Sequence, residues 1–134
     1  MAYSDFLKST DTLRVYAGDE LVFSSQKDRL LALLDYIDSF ASKFSGVTIM
    51  DKIVGNAAAL LAIKADCREI YSPLGSQIAI KTLDQHGVSY HFDRMVPFIC
   101  QENGKDMCPM ERLSLDRTPE EFYQIIKSKA TNPK

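Results

Sequence analysis

The chain predicts an α/β fold: a three-layer α/β/α sandwich around a mixed, mostly parallel sheet of about five strands, with an antiparallel hairpin at the N-terminal edge. Two short β-prone runs, Leu13-Arg14-Val15-Tyr16 and Leu21-Val22-Phe23, flank the turn-forming Ala17-Gly18-Asp19-Glu20 and predict the hairpin. Val47-Thr48-Ile49-Met50 is a continuous apolar, β-branched run suited to a strand covered on both faces. From there strand and helix patterns alternate, as parallel β-α-β units require.

Each element has its own local signal. Ser25 and Asp28 have capping-box spacing ahead of Leu30, Leu31, Leu33, Leu34, Ile37 and Phe40, whose periodicity predicts a long helix. Gly46 releases the chain into the Val47 strand. After the Asp51-Lys52 junction, the alanine- and leucine-rich run from Ala57 to Ile63 reads as a helix packed closely on the sheet. Arg68-Glu69-Ile70-Tyr71 predicts a strand stopped by Pro73, and Leu74 to Gln85 a helix anchored by Ile78, Ile80 and Leu83 and ended by Gly87. Val88-Ser89-Tyr90-His91-Phe92 alternates as a strand does.

Between Pro97 and Leu115 the pattern is irregular, with a turn at Asn103-Gly104 and a short helix opening at Cys108-Pro109-Met110-Glu111. Thr118-Pro119-Glu120-Glu121 combines an N-cap, a first-position proline and a third-position glutamate, so a last helix is expected through Ile126 toward Lys129. With no repeat or linker, residues 1–134 read as one domain, residues 1–11 being an N-terminal extension and 130–134 a frayed tail.

The 134 residues are 46% hydrophobic and 25% charged, the balance of an ordinary globular domain that folds without disulfides or a structural metal. The three cysteines, Cys67, Cys100 and Cys108, are an odd number and suit a reducing compartment. No run approaches the roughly 20 apolar residues of a membrane span, and Met-Ala-Tyr-Ser-Asp lacks the pattern of a secretory signal, so a cytoplasmic protein without a membrane partner is expected. A net charge of −2, with basic residues scattered singly, argues against nucleic acid as a partner while leaving a nucleotide-like small molecule open.

The strongest functional candidate is the strand end Asp51-Lys52 with Gly55-Asn56 at the following helix start, because open α/β sheets place ligands there. On the functional reading Lys52 supplies a cation, Asp51 accepts a proton or hydrogen bond, Gly55 lets a ligand approach the backbone, and Asn56 presents an amide. On the structural reading Asp51 caps the helix, Lys52 is solvated and Gly55 relieves a turn. Cys108 is a second catalytic candidate: as an N-cap its thiol would meet unsatisfied amides, and Glu111 could reach back toward it. A semi-buried cysteine in a capped turn is the plain alternative. Tyr71 could wall a pocket as an aromatic platform for a base, or pack at the sheet edge. Cys67 and Cys100 read as small hydrophobes, and His86 and His91 as a helix-end and a strand-face residue.

Asp51-Lys52-Ile53-Val54-Gly55 with Ala57-Ala58-Ala59, the Glu69-Ile70-Tyr71 strand, and Ile99-Cys100 through Cys108-Pro109-Met110-Glu111-Arg112-Leu113 together resemble the DUF1893 family of small bacterial and archaeal proteins. The likeness covers roughly residues 12 to 128 and implies a cytidine-deaminase-like fold of unestablished function. Zinc deaminases carry H-x-E at one helix start and P-C-x-x-C at the next. On the implied fold these slots fall on Asn56-Ala57-Ala58 and Pro73-Leu74-Gly75-Ser76-Gln77, where the histidine, the glutamate and both thiolates are missing. Zinc-dependent deamination is therefore not expected, and no cofactor or metal is.

What the residues leave are three readings. The first is a pocket binding a nucleotide, nucleobase or related small molecule, with metal-independent chemistry through Asp51, Lys52 and Cys108. The second is an inactive regulatory or assembly module, self-associating through Phe122, Tyr123, Ile125 and Ile126. The third is a divergent metal site built from Asp51, Cys108 and Glu111.

Overall fold

The computed structural model describes residues 2–40, 43–100 and 106–131. The elements are α1 (Ala2–Lys8), β1 (Leu13–Ala17), β2 (Glu20–Ser25), α2 (Arg29–Phe40), β3 (Val47–Asp51), α3 (Asn56–Lys64), β4 (Cys67–Ser76), α4 (Gln77–Gln85), β5 (Ser89–Val96), α5 (Pro109–Ser114) and α6 (Pro119–Thr131). One sheet of five strands has the order β2-β1-β3-β4-β5. β1 is antiparallel to both neighbours, and β3, β4 and β5 run parallel.

Strand alternation separates the layers. Val47 and Ile49 of β3, Leu13 and Val15 of β1 and Ile70 of β4 point into one core with α2, α3, α4 and α6. The intervening Thr48, Met50 and Tyr71 face the other side, where Tyr3 of α1 lies 5.4 Å from the Tyr71 ring. The three layers are thus α1, the sheet, and α2 to α6. α3 is the centre of the thick layer: Asn56 through Ala62 are all buried, as a helix enclosed on every side demands.

Several expectations are realised locally. The hairpin turns at Gly18, whose φ of +61° suits glycine. Gly87 follows α4 with φ +71°. At α6, the Thr118 hydroxyl accepts from the Glu121 amide (3.1 Å) while Glu121 accepts from the Thr118 amide (2.8 Å), a closed capping box.

Four expectations need correction. Part of the N-terminal extension forms α1, held by the fully buried Phe6. Ser25 is not the N-cap of α2; it ends β2 and accepts from the Lys27 amide at 3.1 Å. Pro73 does not stop its strand, because pairing with β5 continues from Ser72↔Phe92 to Leu74↔Arg94, and α4 begins only at Gln77, capped by Ser76. The second deaminase slot is therefore strand rather than helix start over Pro73–Ser76. Finally, Phe122 and Ile126 of α6 are core residues rather than a subunit surface. The Asn103-Gly104 turn lies outside the described residues.

Candidate functional site

The β3–α3 junction sits under the ends of α2 and α5, and a pocket of about 190 Å³ opens there. Its walls are Thr12, Asp28, Leu30, Asp51, Lys52, Ile53, Gly55, Ala57, Ala58, Ile99, Cys108, Met110 and Glu111. Folding thus gathers Asp51, Lys52, Gly55, Cys108 and Glu111 around one cavity.

Asp51 is the last residue of β3 and shares the inward phase of Val47 and Ile49, which sends its carboxyl into the helix layer. It is 6% exposed, and its oxygens meet backbone amides: Ile53 donates to Oδ1 at a long 3.4 Å, and the Lys52 amide also helps to hold the charge. No cationic side chain among the described residues pairs with it. Burial therefore dominates and pushes the Asp51 carboxyl up to about 7.

Lys52 is adjacent in sequence but oppositely directed. Its ammonium donates to the Ser9 carbonyl (2.9 Å) just past α1 and lies 4.7 Å from the centre of the Phe6 ring. The cation expected for a ligand is thus engaged in holding α1, although Lys52 remains one of the residues lining the pocket.

Glu111 and Asn56 form the opposite side of the junction. Glu111, 2% exposed, accepts from the Asn56 amide through Oε1 and from the Ile99 amide through Oε2 (2.8 Å). Gly55, the N-cap of α3, has no side chain to cap the helix, so a carboxylate from α5 takes that place at the positive end of α3. A Cβ on Gly55 would sit 2.8 Å from both Glu111 Oε1 and Ile99 Cγ1, so this glycine makes room for the carboxylate. The Asn56 amide nitrogen donates to the Ser114 carbonyl (3.1 Å) and hydroxyl (3.0 Å), and its oxygen accepts from the Thr82 hydroxyl. Asn56 and Glu111 are therefore committed internally, and Glu111 does not reach back to cap Cys108.

Cys108 is buried in the pocket wall as the N-cap of α5, its own amide donating to the Ile99 carbonyl at 2.8 Å. Tyr71 is not part of this pocket; it lies on the other sheet face, stacked on His91 (4.4 Å) and near Tyr3. Burial pushes the Cys67 thiol up to about 12, leaving it inert, whereas Cys100, also read as a small hydrophobe, is exposed. Asp28, Thr12 and Met110, which also line the pocket, were not read as site residues from the sequence; they come from separate stretches of the chain that only folding brings together. Among the described residues, no three His, Cys, Asp or Glu side chains are grouped so as to hold a metal ion, so the third reading, a site built from Asp51, Cys108 and Glu111, finds no support. No helix among the described residues is long and apolar enough to cross a membrane.

The fold and junction define a small α/β sandwich protein with a carboxyl-floored pocket at the C-terminal edge of its sheet. The family described as "Domain of unknown function (DUF1893)" matches residues 3–130, and the chain belongs to it. It is similar to the crystal structure of a DUF1893 family protein, TM1506, from Thermotoga maritima, with a TM-score of 0.85 and 32% identity. That match covers 96% of this chain and 86% of the other. No curated protein matches the chain.

Proposed function

We propose that the junction pocket binds a compact nitrogenous small molecule of about nucleobase size, with Asp51 as its hydrogen-bond and proton acceptor. The observation that carries this reading is the buried Asp51 carboxyl, which lines a largely apolar cavity and has no cationic partner among the described residues. A volume of about 190 Å³ lies below the roughly 300–1,000 Å³ usual for drug-sized ligands, which favours a base or amine over a whole nucleotide. The other carboxyl groups in the walls, Asp28 and Glu111, and the diversion of the Lys52 ammonium to Ser9, favour a donor or cation over an anion.

A group titrating near neutrality can also take a proton from a bound N–H, so metal-independent proton transfer is within reach of Asp51, with Cys108 in the same wall. The reading includes the deaminase-like sandwich, supported by the antiparallel β2-β1 edge followed by parallel β3, β4 and β5.

The test is a thermal-shift screen of nucleobases, amidines and small amines against the wild-type protein and Asp51→Asn. A ligand should raise the wild-type Tm and lose that effect in the variant. For a cationic ligand, binding should strengthen as pH rises through about 7, where Asp51 ionises. An equal shift in Asp51→Asn would overturn the assignment.

A further inference from the structure

Asp28, Leu30 and Met110 line the Asp51 pocket and also a second cavity of about 310 Å³ between α2 and α6. Leu31, Leu34, Ile126 and Lys129 complete its walls, so apart from Asp28 and Lys129 every lining residue is apolar. The groove has a simple origin. α2 places Leu30, Leu31 and Leu34 on one side at helical spacing, while its aromatic residues Tyr36 and Phe40 lie further along and pack with Phe23. α6 turns Phe122 into the core, which leaves Ile126 as its apolar contribution to the groove. Leu31 remains 51% exposed at the edge of this groove.

Polarity differs between the two adjoining cavities: a buried carboxyl lines one, and the other is an almost wholly apolar trough. We infer that they form one site for an amphipathic nitrogenous ligand, with a protonated amine or amidine head at Asp51 and an unbranched apolar tail lying over Leu30, Met110, Leu34 and Ile126. The inference rests on the binding role proposed for Asp51 and adds the tail. Met110, half-buried at the boundary of the two cavities, is suited to a passing chain because its unbranched thioether side chain adapts to varied shapes. Asp28, shared by both cavities, adds a negative charge along the path of the head group.

The experiment is a titration with n-alkylamines from propylamine to decylamine, with the n-alkanols of equal length as neutral controls. The probes are read by thermal shift and calorimetry on wild type, Asp51→Asn and Leu31→Glu. Affinity for the amines should rise about three- to fourfold per added methylene until the groove is filled, as burial of apolar surface predicts. Asp51→Asn should weaken the whole amine series at least tenfold. Leu31→Glu, at a half-exposed position where the fold tolerates a charge, should flatten the dependence on chain length, with its unliganded Tm recorded to show that it is folded.

Amines that bind through Asp51 without any gain from chain length would overturn the tail and leave the head pocket standing. Alkanols that match the amines, or a chain-length gain that survives in Asp51→Asn, would show apolar adsorption unconnected with Asp51 and overturn the joined site. Absence of binding by every amine, while a nucleobase binds through Asp51, would also overturn it.

Discussion

Two buried carboxylates stand on either side of the β3–α3 junction, and they are opposites. Glu111 is saturated: the Asn56 and Ile99 amides occupy its two oxygens, and it closes the positive end of α3. Asp51 is as deeply placed but has only weak backbone donors and a cavity before it. Burial alone does not mark a functional acid. A charged group that the fold has satisfied is architecture, and one left short of partners beside empty space is a candidate for a ligand.

The contrast is tested most strongly at Glu111. Glu111→Ala would orphan two buried amides and open space beside Gly55, and is expected to cost about 3–5 kcal/mol in chemical denaturation. A loss below about 1 kcal/mol would show that those amides find other acceptors.

Asp51 should behave in the reverse sense. Its folded pKa of about 7 lies above the ordinary value near 3.8, so the folded state holds the proton more tightly than the unfolded one. Stability from this group is fully present below about pH 4 and is lost as pH rises through about 7, by up to about 4 kcal/mol. Urea midpoints of wild type should therefore fall between pH 5 and pH 8 relative to those of Asp51→Asn. Parallel pH profiles for the two proteins would break the comparison.

The smallest effect is expected at Lys52. Lys52→Met removes the bond to Ser9 and the contact with Phe6, a loss of about 1 kcal/mol. The pH at which Asp51 titrates should not move, since the ammonium serves α1. A clear rise in that pH, followed by NMR of the carboxyl carbon, would show that the two charges are coupled after all.

What could be read without the fold follows from the range of the forces involved. The capping box at Thr118 and Glu121 and the leucine periodicity of α2 depend on residues within a turn or two, and both appear as written. The hairpin and the strand-helix junction are equally local. Pro73 misled because its missing N–H does not end a strand when the flanking residues still pair with β5. The direction of Lys52 was partly legible: inward Ile49 and Asp51 already imply that the next side chain turns away. What it meets there is the helix that part of the N-terminal extension turned out to form.

The sequence by itself determined the class of fold and the position of the junction, since hydrophobic period and cap chemistry act between near neighbours. It also put an acid at the end of β3. Only the tertiary structure decided which acid is satisfied. Glu111 finds an amide 55 residues away, at Asn56, while Asp51 finds a cavity. Hydrogen-bond satisfaction depends on which distant backbone groups packing brings within about 3 Å, and no spacing within the chain encodes that distance.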